Sequence, residues 1–143
     1  MILTPLAFKT LVSVGLIAAV CVAMVQWRAG SREAEARDTN PPSGQFVDVE
    51  GTEIHIKVSG QGTDIILIHG ASGSLRDFTF DLAERLSSTH RVIAIDRPGL
   101  GWSERPPGYG GAWSKAYEPP RLQARLLQGA ADAVGVTNPI VVG

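Results

Sequence analysis

Residues Leu11–Val25 read LVSVGLIAAVCVAMV, a run in which 13 of 15 side chains are apolar and none is charged. No polar stripe recurs within it, so the run does not fit the amphipathic helix of a soluble domain. Counted from Leu6 to Trp27 the segment holds 22 residues. At about 1.5 Å per residue that is roughly 33 Å of helix, enough to cross a hydrocarbon core with Lys9 snorkelling to one interface and Trp27 at the other. Residues 1–27 are therefore expected to be a membrane anchor or signal segment, and the favoured localisation is the membrane, through a single-pass N-terminal helix. The alternative is secretion after signal-peptide cleavage, with Ala34-Glu35-Ala36 as the small-x-small site. That site begins nine residues beyond Val25, far for such a cleavage. Orientation is not set by charge, because Lys9 and the α-amino group stand on one side and Arg28, Arg32 and Arg37 on the other.

Residues 28–44, RAGSREAEARDTNPPSG, mix both charge signs with small residues and end in Pro41-Pro42. Such a composition buries no apolar surface and reads as an exposed linker. Residues 45–143 remain, enough for one domain at most. The whole chain carries 13 Lys+Arg against 14 Asp+Glu, a net charge of −1. From residue 41 onward there are 9 basic and 11 acidic residues, net −2, so no nucleic-acid partner is implied. The single cysteine, Cys21, excludes an intramolecular disulfide and a Cys-based zinc cluster. Neither a metal nor an organic cofactor is expected, and nothing in the sequence fixes an oligomeric state.

Within the globular region, Phe46, Val47 and Val49, a turn at Glu50-Gly51, and Ile54, Ile56 and Val58 alternating with His55 and Lys57 predict an antiparallel hairpin with one wetted face. His55 is thereby expected on the surface, as is His90 in a turn. Ile65-Ile66-Leu67-Ile68 and Arg91–Asp96 are short apolar runs of the kind buried on both faces of a parallel sheet. Between them Ser74, with Asp77 three residues on, predicts the start of one helix whose inner face is Leu75, Phe78, Leu82, Ala83 and Leu86. The stretch from Asp96 to Gly111 holds five glycines and three prolines in 16 residues and is expected to be an irregular loop. A last helix opens at Pro119-Pro120, buries Leu122, Leu126, Ala130, Ala133 and Val134, and stops at Gly135. Pro139–Val142 begins a further strand. The order is a β-hairpin followed by βαβαβ, an α/β fold, in which ligands gather at the carboxyl ends of the parallel strands. Those ends are His69-Gly70, Asp96-Arg97 and Gly143.

The fragments LIHGASGS at 67–74, IDRPGLGWSERP at 95–106 and NPIVVG at 138–143 resemble, in order and separation, the N-terminal part of the α/β-hydrolase family. The resemblance implies a partial α/β-hydrolase domain over residues 45–143, truncated on its C-terminal side. In that family the next strand end carries the nucleophile elbow Gly-x-Ser-x-Gly. Gly143 matches its first glycine, so the resemblance puts the nucleophile just beyond Gly143 and no catalytic residue in this chain. It also implies an oxyanion hole from Gly70, Ala71 and Ser72, with the Ala71 amide as the first donor and Ser72 as a neighbouring alternative. His69 precedes any position for the catalytic His, and is expected to orient the loop by hydrogen bonding. Asp96 is expected to hold its own loop through backbone N–H groups and Arg97.

The function implied is that of the N-terminal part of a membrane-tethered hydrolase. It would act on a small-molecule ester or related bond by nucleophilic attack, and this chain alone would be inactive. The family's substrates range from esters to epoxides, and Ser72 stands where the epoxide-hydrolase and dehalogenase pattern has proline. One alternative is a non-catalytic binding or receptor protein on the same fold. Another is a nucleotide-binding α/β protein, with Gly70-x-x-Gly73 facing a phosphate at a helix N-terminus. The latter lacks both the three-glycine dinucleotide spacing and a Walker lysine.

Overall fold

The computed structural model describes residues 5–110 and 116–143. Gly111, the last residue of the expected loop, and the α-amino group fall outside them. The chain divides into two compact units, Met1–Pro41 and Pro42–Gly143.

The first unit is one helix, α1, Pro5–Thr39. Leu11, Leu16, Ile17, Val20, Met24 and Trp27 are all exposed along it. Among the described residues it is the one helix long and apolar enough to cross a membrane. It continues without a break through residues 28–39, where the sequence predicts a linker. Alanine, glutamate and arginine dominate that stretch and favour helix intrinsically, and the Thr39 hydroxyl donates to the Glu35 carbonyl at 2.8 Å. Pro41 and Pro42, lacking N–H donors, follow its end.

The second unit contains strands β1 (Gln45–Val49), β2 (Thr52–Ser59) and β3 (Thr63–Ile68), helices α2 (Arg76–Thr79) and α3 (Leu82–Ser87), strand β4 (His90–Ile95), helix α4 (Pro120–Ala133) and strand β5 (Ile140–Val142). The sheet order is β1-β2-β4-β3-β5. The hairpin pairs Val47 with Ile54, β2 runs antiparallel to β4, and β3 runs parallel to both β4 and β5. This is the expected α/β class, with a mixed sheet.

The continuous apolar strands follow from helices on both faces. Ile66, Ile93 and Ile95 pack with Ile54, Ile56, Leu126, Ala130 and Ala131 on the α4 side. Their alternates Ile65, Leu67, Val92 and Ala94 pack with Leu75 and Ala83 on the other. Period-2 alternation thus divides β3 and β4 between two cores, each buried Ile or Leu contributing roughly 1.5–3 kcal/mol.

The single helix expected after Ser74 is two short ones. Asp81, at φ −155°, breaks the run, leaving Phe80 87% exposed and Leu82 outside the core. The Asp77 carboxylate still accepts from the Ser74 N–H at 3.3 Å, while the Ser74 hydroxyl accepts from Arg76 N–H at 3.3 Å. In α4, Ala131 is buried where Ala133 was expected. At the amino end of β3, buried Asp64 accepts from Thr137 N–H at 2.8 Å and from Arg91 at 3.1 Å, fixing the turn into β5.

Candidate functional site

Because β3, β4 and β5 are parallel and in register, with Ile68 opposite Ile95 and Leu67 opposite Val142, their carboxyl ends bring His69, Asp96 and Gly143 to one rim of the sheet. The loop leaving β3 runs to α2 on one face and that leaving β4 runs to α4 on the other. In α/β sheets ligands bind where the connections diverge in this way at the strand ends.

Asp96 is the hub. Its side chain is almost fully buried, at 1% exposure. Oδ1 accepts from Leu75 N–H at 2.7 Å, and Oδ2 accepts from Trp102 N–H at 3.0 Å and from His55 Nδ1 at 2.7 Å. Burial alone would raise its carboxyl, but the hydrogen bonds from His55, Trp102 and Leu75 outweigh it and hold the group below its ordinary 3.8. Arg97, the expected partner, instead reaches Gln123 Oε1 on α4 at 2.6 Å. Gln123 in turn donates to Glu118 at 3.0 Å, which also receives Arg105 at 2.6 Å. These contacts tie the Asp96–Gly110 loop to the start of α4. Gly101 sits at φ +55°, and a Cβ there would fall 2.3 Å from the Asp96 carboxylate, so only glycine lets this loop close over the acid.

His55 corrects the sequence expectation. It is 1% exposed rather than on a wetted face. The loop after β4 returns across β2. Ser103 Oγ accepts from His55 N–H at 2.9 Å and donates to the Asp96 carbonyl at 2.7 Å, and Glu104 N–H donates to Glu53 O at 2.8 Å. His90 opens β4, half-buried, with Nδ1 2.8 Å from the Thr89 hydroxyl.

His69 Nδ1 lies 2.9 Å from the Gly70 carbonyl and its Nε2 accepts from Arg97 N–H at 3.0 Å. The proton is thereby assigned to Nδ1. The ring is buried and 3.7 Å from Asp96 Oδ1, so it bridges the two loops instead of facing solvent. Beyond it Gly70, Ala71 and Ser72 are exposed. Ser72 has φ +63°, a left-handed conformation uncommon for a residue with a Cβ. The loop's own backbone bond runs from Gly73 N–H to Gly70 O at 3.4 Å. Among the described residues the Ala71 and Ser72 N–H groups have no hydrogen-bond partner.

The loop is therefore pinned at both ends, by His69 and by Leu75, with two unpartnered amides between. Gly143 lies beside the end of β3, where a Cβ added to it would fall 3.3 Å from Ile68 O. The helix after Gly73 is a single turn, so little dipole converges on the Gly70–Gly73 segment as a phosphate site would require. Among the described residues no cluster of three or more His, Cys, Asp or Glu could hold a metal ion.

Residues 64–143 match the protein family described as alpha/beta hydrolase fold. The chain is similar to a 2-hydroxymuconate semialdehyde hydrolase of Pseudomonas putida, 33% identical over 112 residues, covering 76% of this chain and 36% of the relative. It is also similar to the solved structure of an alpha/beta hydrolase from Sphaerobacter thermophilus, at 32% identity and a TM-score of 0.52, covering 64% of this chain and 32% of that one. A third likeness is to the Cif epoxide hydrolase from Acinetobacter nosocomialis, at 29% identity and a TM-score of 0.56, covering 68% and 28%. The chain thus spans about a third of the length of these relatives.

Proposed function

Because this chain belongs to the alpha/beta hydrolase fold family, we propose that it is the N-terminal part of a membrane-tethered hydrolase. It would cleave an ester or related bond of a small molecule by nucleophilic attack, with the Ala71 amide as an oxyanion donor and the Ser72 amide as its neighbouring alternative. The observation that carries this reading is the Gly70–Ser72 loop. It is exposed, held at both ends by buried polar contacts, and offers beside the end of β5 two N–H groups that have no partner among the described residues. A displacement at a carbonyl develops negative oxygen, and donors already in place stabilise it by about 3 kcal/mol each without reorganising.

The nucleophile and the later acid and histidine are assigned to polypeptide that the relatives have and this chain does not span. The substrate class stays as broad as the family's. The Pseudomonas putida relative is named for a semialdehyde and the Acinetobacter nosocomialis structure for an epoxide. Tethering rests on α1, whose apolar part has the length a bilayer requires.

The test compares the 143-residue chain with a longer polypeptide continuing past Gly143 to the length of the relatives, both in detergent with p-nitrophenyl acetate. Turnover is expected from the longer chain and none from the shorter. No turnover by the longer chain, with a small inert residue at the elbow position, would instead support a binding protein on the same fold.

A further inference from the structure

His55 occupies a position where alternation along β2 calls for a solvent-facing side chain, yet it is fully buried and pays for that burial. Its Nε2 has no hydrogen-bond partner among the described residues. Gly44 covers that atom so closely that a Cβ at Gly44 would lie 3.2 Å from it and 2.0 Å from the Ile56 carbonyl. Phe46 stacks obliquely on the ring with centroids 5.1 Å apart. An orphaned buried nitrogen costs on the order of 1–3 kcal/mol, so a leucine would suit this space better if packing were all that mattered. What leucine could not supply is the proton on Nδ1, 2.7 Å from Asp96 Oδ2.

That bond decides where the carboxylate points. Oδ2 is held from one side by Trp102 N–H and from the other by His55, which leaves Oδ1 directed at Leu75 N–H, 2.7 Å away. Leu75 closes the segment that carries Ala71 and Ser72, and no other hydrogen bond of its N–H is present among the described residues. We infer that His55 is a positioning residue: acting through Asp96 and the Leu75 N–H, it sets the geometry of the Ala71 and Ser72 amides. The functional weight of this inference rests on the reading of those amides as oxyanion donors, but the contact chain itself does not.

The experiment is amide hydrogen exchange and ¹⁵N-resolved NMR of the whole 143-residue chain in detergent micelles, comparing wild type with His55→Leu and His55→Asn. Leucine fills the space without a donor, whereas the asparagine Nδ2 falls near the position of the histidine Nδ1. In His55→Leu the Leu75 amide is expected to exchange about tenfold faster and the Ala71 and Ser72 cross-peaks to shift, with the Val92–Ile95 amides unchanged. His55→Asn is expected to restore the wild-type pattern. A role in packing alone would give the reverse order, leucine tolerated and asparagine not. Unchanged Leu75 exchange in a folded His55→Leu chain, or Asn behaving like Leu, would overturn the inference. Should His55→Leu not fold, His55→Gln replaces it: its amide reaches the Nε2 position under Gly44, so it is expected to lose Leu75 protection, and retention of that protection would overturn the inference. No turnover is needed for this readout. An inactive longer polypeptide would sink the oxyanion reading alone, and an unmoved Leu75 amide would sink this inference alone.

Discussion

Asp96→Asn isolates the hub with the smallest possible change in shape. The carboxylate accepts from three buried donors, Leu75 N–H, Trp102 N–H and His55 Nδ1. An amide can present its oxygen to only one side. Placing it toward Trp102 and His55 keeps two bonds and turns the amide nitrogen toward Leu75 N–H, donor against donor. The opposite orientation loses two and is worse. In the better orientation Leu75 N–H is left buried and unsatisfied, at about 1–3 kcal/mol, and the two surviving bonds lose charge assistance, about 1 kcal/mol each. The expected cost is about 3–5 kcal/mol, or roughly 10²–10⁴-fold in the opening equilibrium of residues 42–143. Hydrogen exchange of the Val92–Ile95 amides, which lie in the centre of the sheet, measures that equilibrium independently of α1. A loss of protection below about tenfold would refute the accounting, because it would mean that the three donors find other acceptors.

Gly101→Ala is expected to cost about 2 kcal/mol or more by the same exchange measurement, since its Cβ would meet the Asp96 carboxylate at 2.3 Å from a left-handed backbone. Ser103→Ala removes the hydroxyl joining His55 N–H to the Asp96 carbonyl and is expected to cost about 2 kcal/mol, read as a lower urea midpoint. The Asp96 carboxyl is held below 3.8 in the folded chain, so its contribution to stability is present above that pH and is lost as pH falls through the folded value. Acid titration of stability should therefore be steeper below pH 3.8 in wild type than in Asp96→Asn. Expressed from its own start, the chain should pellet with membranes and resist carbonate extraction, whereas a soluble product beginning near Arg37 would show cleavage.

The elements carrying β3, β4 and the rim loops were legible because their signals are local. Four consecutive apolar residues require two buried faces, and clustered glycine and proline forbid regular structure between β4 and α4. His55 was not legible. Its burial comes from Ser103 and Asp96, 48 and 41 residues away, and the period-2 rule describes a strand's own pleat but not a loop that returns to cover it. The break between α2 and α3 was hidden for a related reason. Leu75, Phe78, Leu82 and Leu86 satisfy a helical spacing on paper, but the chain turns at Asp81, so that Leu75, just before α2, and Ala83, in α3, reach the same core separately. The helical course of residues 28–39 was legible only in propensity, which the charge mixture and the following prolines obscured. Asp96 was identifiable from its place at a strand end. Its partners were only half so, because the adjacent Arg97 is drawn away by Gln123 on α4.

Whether the Ala71 amide stabilises a developing oxyanion is tested most directly by kcat of an Ala71→Pro variant in the longer polypeptide. Proline removes this one N–H from a loop whose ends are fixed independently by His69 and Leu75. With the Leu75 and Val92–Ile95 amides shown to be protected as in wild type, kcat toward p-nitrophenyl acetate is predicted to fall about 10²-fold or more. A folded Ala71→Pro enzyme that keeps the wild-type kcat would contradict the assignment.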